Sequence, residues 1–529
     1  MKVTILIISL LFIIIYSFLP LSTPAKFTSP DETANYFFSK LYAETGSLKI
    51  IEPSSNNNIT IVHPRSTTVV NNFLVPASFL GLPIIYGLIG GLLGVWIIPF
   101  LTPVFVAISG IAFFYLMKNI FQRLSIKQYD LIALSSAILY LTHPAVWYYS
   151  SRTMFHNMLF VALLIIGAYF LERFFYYLDR ADKNEQTVRK HLALASFFIA
   201  LSLTVRTAEI IWVSFVLLFL WLWNYKKIRF LYIVIDLGIM ILVFLPILYY
   251  NHDLYGKWYA SGYNTNYTLD SNHALYNSLE DKPASAFVNF YNYFVVLFWW
   301  IFALFAIGLC WFLRATKKLQ WCILIPTTLT IGWLIFFYGS FNLHDTLGKD
   351  EITIGTSYAR YWLPIYIVTI PFIGFFIVQL ASLYNRFKNT IIYIMTGLIV
   401  LTSGYFVFTD ATENIISTKK TILNNQIILD VAKQIIPPDS IIISEHEDKI
   451  FFPEFRVINS SQGMTIKDAA VIKELPILAE KNQLYYYNFL EKKDLEYLYQ
   501  TKLKPVGLKF GKKKYLFSSW QLDKIEKGD

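Results

Sequence analysis

The chain has 529 residues, 56% hydrophobic and only 15% charged, where a soluble domain carries roughly 25% charged residues. That composition excludes an ordinary soluble fold and makes lipid the main solvent; an aromatic content of 18% suits a protein with two membrane–water interfaces to anchor. The formal charge of +10 is no sign of nucleic-acid binding, because the basic residues cluster in short segments between apolar runs, where they set topology.

A helix needs about 20 apolar residues to cross the hydrocarbon core. Spans are predicted near 3–21, 95–117, 131–147, 156–172, 192–205, 209–224, 229–250, 291–313, 319–339, 363–381 and 390–409. The apolar run after Lys2 is longer than the h-region of a signal peptide and has no small-x-small cleavage site, so an uncleaved signal anchor is expected. The connections alternate in character. Segments 118–130, 172–191, 224–229, 314–318 and 382–388 are short and rich in Lys and Arg, whereas 22–94, 143–155, 251–290 and 340–362 are poorer in them. By the positive-inside rule the N-terminus is cytoplasmic and the second set of loops lies outside the cell membrane.

Two stretches need a decision. Arg206 and Glu209 sit in the middle of the apolar run 191–224, which has basic residues on both flanks, so a V-shaped pair of short helices meeting near Arg206 is predicted. Residues 76–94 are apolar but broken by Gly and Pro, and are expected as a juxtamembrane or re-entrant segment that must pack on protein. The expected fold class is a polytopic α-helical membrane protein with about 11 transmembrane helices over residues 1–410, in which 22–94 form the first external loop. Asp236, inside a span, is expected to hydrogen-bond between helices. Cys310 and Cys322 lack disulfide or metal-ligand spacing and are expected as small apolar core residues.

After Thr409 the texture changes. An amphipathic helix over 414–436 ends at Pro437-Pro438, and short β-rich runs at 441–444, 456–458 and 484–487 alternate with helical stretches such as 492–499. A hairpin is expected over 504–520, tipped by Lys512-Lys513-Lys514. This pattern predicts a small α/β domain over 411–529, extracytoplasmic by the count of crossings. Three N-x-[ST] triplets, at Asn58, Asn266 and Asn459, all fall on the predicted outer side. The dense turn Glu445-His446-Glu447-Asp448-Lys449 is expected as a solvated loop. There is no Walker A sequence, and the glycines at 90, 91 and 94 lack the strand–turn–helix context of a phosphate cradle.

The first external loop opens Thr28-Ser29-Pro30-Asp31-Glu32. Ser29 suits an N-cap, Pro30 the first turn, and two acids favour the helix dipole, so a plain helix start accounts for these residues. The other reading is a carboxylate at the membrane surface acting as general base on an acceptor hydroxyl. Arginine is the residue suited to forked contact with an anionic group such as phosphate, and Arg65, Arg152, Arg206 and Arg360 are the candidates on the predicted outer side. Arg206 has the alternative of a structural pair with Glu209 at i, i+3, and Arg360 beside Tyr361 and Trp362 that of an interface anchor. His344-Asp345 is expected as a polar loop contact that touches substrate, with a divalent metal as the alternative; no cofactor is required.

A first span followed by Pro30-Asp31-Glu32 and a helix ending in Thr45-Gly46-Ser47-Leu48 resembles the GT-C membrane glycosyltransferases. The group most resembled is glycosyltransferase family 39, which includes protein O-mannosyltransferases and aminoarabinose lipid A transferases. Asn251-His252-Asp253-Leu254-Tyr255-Gly256 with Ser261-Gly262-Tyr263, and Ala359-Arg360-Tyr361-Trp362-Leu363-Pro364, resemble later stretches of that group. The resemblance covers 1–410 in layout and only these stretches in detail.

It implies inverting transfer from a polyprenyl-phosphate sugar to a hydroxyl of a lipid, glycan or protein acceptor, among membrane lipids and without nucleic acid. Asp31 would be the catalytic base and Glu32 its support. One departure matters. The lipid A enzymes carry a Lys-Pro-Pro type signature where this chain has Ile61-Val62-His63-Pro64-Arg65-Ser66. His63 and Arg65 become candidate phosphate contacts, and the acceptor class does not carry over. The alternative function is a transporter or flippase of polyprenyl-linked glycans, although two related halves with midplane charges are missing. An oligosaccharyltransferase is a third reading; its Trp-Trp-Asp hallmark is absent, since Trp299-Trp300 lies in a span and is followed by Ile301.

Overall fold

The computed structural model describes residues 1–57, 59–180, 184–264, 282–315, 321–341, 351–410, 412–459, 469–517 and 520–528. Asn58, Asn266, His344 and Asp345 lie outside the described residues. The chain forms two compact units interleaved along the sequence: Met1–Ser22, Pro99–Tyr249 and Asn266–Ser417 in the first, Thr23–Ile98, Tyr250–Thr265 and Thr418–Asp529 in the second.

Helices stand at each of the eleven stretches predicted as spans. Among the described residues six are long and apolar enough to cross a membrane alone, namely Val95–Arg123, His156–Leu178, Glu185–Val205, Phe230–Tyr255, Leu363–Ser382 and Asn385–Thr409. Two bent pairs, Tyr129–Thr142 with Pro144–Arg152 (50°) and Pro283–Val296 with Trp299–Ala315 (92°), raise that number to as many as eight. Lys2–Tyr16, Thr207–Trp223 and Ile323–Gly339 are shorter apolar helices. Phe230, Leu237, Ile241 and Leu242 on one helix, and Tyr393, Leu398 and Leu401 on another, are exposed. Apolar surface of that extent is at home in hydrocarbon, and the chain is a multi-pass integral membrane protein.

In the first unit, small residues let helices approach closely. A Cβ on Gly308 would strike the Phe372 carbonyl, and one on Gly374 the Ser136 hydroxyl. Buried polar groups find partners between helices: Trp362 Nε1 donates to the Leu334 carbonyl at 3.0 Å, and Tyr366 donates to the Tyr293 carbonyl at 2.9 Å. Asp236 accepts from Ser196 Oγ, the interhelical role expected of it. Cys310 departs from expectation. It is exposed on its helix rather than in the core, because an apolar side chain gains little from burial when the surrounding solvent is itself apolar.

In the second unit, helix Pro30–Thr45 packs against Gly81–Leu93. A Cβ on Gly87 would lie 2.8 Å from the Ser39 carbonyl oxygen and from Tyr42, so glycine is required for this approach. Within the segment 76–94, Gly81–Leu93 is thus a short helix seated on protein. Ile50–Ile51, Phe73–Pro76 and Thr67–Val70 form a small antiparallel sheet in that order.

The C-terminal sheet has five strands in the order Arg456–Asn459, Ile441–Ser444, Leu484–Asn488, Trp520–Lys527, Leu508–Phe517. The first three are parallel and the last two antiparallel. Its apolar core joins Ile441, Ile443, Leu484 and Tyr486 to Ile59, Ile61 and Val62 from the first loop. A hairpin is present, but it pairs Leu508–Phe517 with Trp520–Lys527 instead of folding within 504–520, so Lys512-Lys513-Lys514 lies within its first strand and not at a tip. That strand is at the sheet edge, and its pairing shifts register between Phe510 and Lys513. Lysines and irregular pairing on an edge strand discourage further strand addition.

Candidate active site

Asp31 and Glu32 begin helix Pro30–Thr45, as the Ser29-Pro30 start dictates. Glu32 is buried, and its Oε2 accepts from the Ser29 backbone N–H at 3.2 Å, the return arm of a capping box. Asp31 is half-buried. Its Oδ1 accepts from the Ser66 hydroxyl at 2.5 Å. Sequence reasoning passed over Ser66, although it directly follows the Arg65 that was singled out.

Arg65 is committed elsewhere. Its Nε and Nη2 donate to Asp448 Oδ1 at 2.9 and 2.7 Å, and its backbone N–H donates to Asp448 Oδ2 at 2.7 Å. Nη1 lies 3.1 Å from His446 Nδ1, and Nη2 also donates to the His446 carbonyl. A guanidinium only donates, so His446 Nδ1 is the acceptor and the ring is neutral. The turn 445–449 is therefore no solvated loop. Asp448 is fully buried. Burial alone would raise its carboxyl, but Arg65 outweighs that and holds it below the usual carboxylate range. His446 is lowered by partial burial and then by Arg65.

His63 is half-buried with Nδ1 3.0 Å from the Pro64 carbonyl, so Nδ1 carries the proton and donates. Burial lowers its imidazole, with Pro64, Asp448 and Glu52 pulling the other way. A neutral ring is a poor counter-charge for phosphate. Two more ion pairs tie the first loop to the C-terminal segment within this unit, Lys26–Glu454 at 2.6 Å and Arg456–Glu52. Asp253 pairs with Lys49 at 2.6 Å, and His252 stacks on Trp258.

Arg206 and Arg360 belong to the first unit. Helix Glu185–Val205 ends at Arg206, and a short turn precedes Ile210–Trp223, so the apolar run breaks where its charges predicted. Arg206 is buried and pairs with Glu209 at 2.9 Å; it also donates to the Tyr338 hydroxyl at 2.6 Å. Arg360 donates to Ser357 Oγ at 2.8 Å and lies over Phe155 at 4.7 Å and Tyr361 at 5.2 Å. Arg152 covers Phe155 at 5.0 Å, and Arg206 covers Tyr361 at 5.1 Å. Three arginines thus gather around two aromatic rings. Glu413 is 3.5 Å from Arg152 and accepts from Tyr148 at 2.7 Å.

No protein-family model matches the sequence, and no curated protein matches it. Among solved structures the chain is similar to ArnT from Cupriavidus metallidurans, an aminoarabinose lipid A transferase, at 10% identity. The match covers 99% of this chain and 97% of that one, with TM-scores of 0.54 for the apo state and 0.56 for the form bound to undecaprenyl phosphate. It is also similar to the apo oligosaccharyltransferase of Archaeoglobus fulgidus at 10% identity and TM-score 0.51, over 92% of this chain and 69% of that one. The chain has a GT-C fold. Within this GT-C fold Asp31 and Glu32 open the helix that follows the first apolar segment, the position on which the sequence resemblance rested.

Proposed function

We propose that this chain is a membrane glycosyltransferase. It moves a sugar from a polyprenyl-phosphate donor to a hydroxyl of a lipid, glycan or protein acceptor at the outer membrane face, with inversion. The observation that carries this reading is Asp31, a half-buried carboxylate with a hydroxyl on one oxygen, in a chain that shares its fold with ArnT. Asp31 takes the proton from the acceptor hydroxyl, the oxygen attacks the anomeric carbon, and the bond from that carbon to the phosphate oxygen breaks. Polyprenyl phosphate leaves with the electron pair.

For the donor phosphate we assign Arg360, with Arg152 beside it. Arg206 is held by Glu209 and Tyr338 as a structural pair, and Arg65 by Asp448. In this reading eleven crossings leave the N-terminus cytoplasmic and residues 411–529 outside. The test is incubation of purified protein with a panel of polyprenyl-phosphate sugars, following release of the lipid phosphate. Wild-type protein should release it and Asp31→Asn should not; full activity in that variant removes Asp31 from the base role.

A further inference from the structure

The turn at 64–66 is fixed from both sides. The Arg65 side chain and backbone N–H are both held by Asp448. The Ser66 carbonyl accepts from the Ala77 backbone N–H at 3.0 Å, and Thr67 Oγ1 closes the turn on the Pro64 carbonyl at 2.7 Å. Ser66 itself has φ of 61°, a left-handed conformation that side chains other than those of Gly, Asn and Asp rarely adopt. A residue kept there at a cost points to a use for its side chain. That side chain is the donor to Asp31 Oδ1.

We infer that Asp448, Arg65 and Ser66 form a positioning relay, through which the C-terminal part of the second unit sets the orientation and proton affinity of Asp31. The inference rests on the reading of Asp31 as general base. Ser66 donates to the carboxylate form, which favours ionisation, and restrains the orientation of the Asp31 carboxylate. Arg65 and Asp448 act through Ser66 by holding its backbone. None of the three is a catalytic residue.

The decisive variant is Ser66→Gly, which removes the hydroxyl while suiting the left-handed backbone better than serine does. The measurement is the pH-dependence of carbodiimide modification of Asp31 in the full-length protein, read by peptide mass spectrometry, since it is the protonated carboxyl that adds to the carbodiimide carbon, its proton passing to nitrogen. Ser66→Gly should move the midpoint upward by about one pH unit. Asp448→Asn should move it the same way by less, with Arg65→Lys as the replacement should the former not fold. In the transfer assay Ser66→Gly should lower kcat about tenfold with the donor KM unchanged, and raise the acid limb of the kcat profile.

An unchanged labelling midpoint in Ser66→Gly overturns the relay whatever the activity. A midpoint that moves in Ser66→Gly but stays at the wild-type value in folded Asp448→Asn and Arg65→Lys overturns the part given to the C-terminal segment. Full activity of Asp31→Asn overturns the base assignment, and with it the purpose of the relay, even where the midpoint has moved.

Discussion

Arg65 and Asp448 are 383 positions apart and share three hydrogen bonds, two from the guanidinium and one from the Arg65 backbone. The carboxylate has no exposed surface, whereas the arginine keeps about a quarter of its side chain accessible, 28%. Removing the carboxylate leaves a partly buried cation without its main counter-charge. Asp448→Ala should therefore destabilise the protein by about 2–3 kcal/mol, below the full cost of breaking a wholly buried pair because water reaches Arg65. The melting temperature of the purified protein in detergent checks this; an unchanged value would mean that the pair contributes nothing to stability.

Acid should weaken the second unit in two stages. His63 and His446 are lowered in the folded protein, so the unfolded chain binds more protons as pH falls below about 6.5, and their stabilisation fades over that range. Asp448 is lowered too. Its contribution is complete above about 4 and disappears as pH falls through the folded value. The melting temperature measured against pH should show both steps, and His63→Gln should shrink the first. A profile flat from pH 7 to 5 would contradict the histidine assignment.

Glu209 neutralises Arg206 where both are buried, with Tyr338 bonded to each. Glu209→Ala strands the guanidinium, a change that costs about 3–5 kcal/mol in comparable buried pairs. The expected outcome is loss of the monodisperse peak in size-exclusion chromatography. A well-folded Glu209→Ala protein would instead free Arg206 for the donor role.

Arg360 is bonded through Nη2 to Ser357 and stacked on two rings. Arg360→Gln should raise the KM for a polyprenyl-phosphate sugar about tenfold, equivalent to about 1.4 kcal/mol, with little change in melting temperature. Arg360→Lys should recover only part of that, since an ammonium cannot supply the forked contact. An unaltered KM in both variants would return Arg360 to the role of an interface anchor.

The apolar helices were legible because lipid imposes one rule on every residue of a span, and a run of apolar side chains states it locally. The break at Arg206 was legible for a related reason: two charges inside an apolar run, with basic residues on both flanks, admit few placements. The helix start at Ser29-Pro30 is equally local. Cys310 and the triple lysine were misplaced because burial and edge position depend on what lies alongside, which sequence spacing does not encode.

The Asp31 surroundings divide along the same line. From sequence alone come a membrane-embedded helical protein and an acidic pair at the head of the helix after the first apolar segment. Capping, hydropathy and charge asymmetry act over a few residues, and each leaves its mark in the order of the chain. Only the tertiary structure decided that Asp31 meets Ser66, that Arg65 answers to Asp448, and that Glu32 is spent on a cap. Those contacts join residues whose separation carries no period or motif, so chain folding is the first place where their partnership is written.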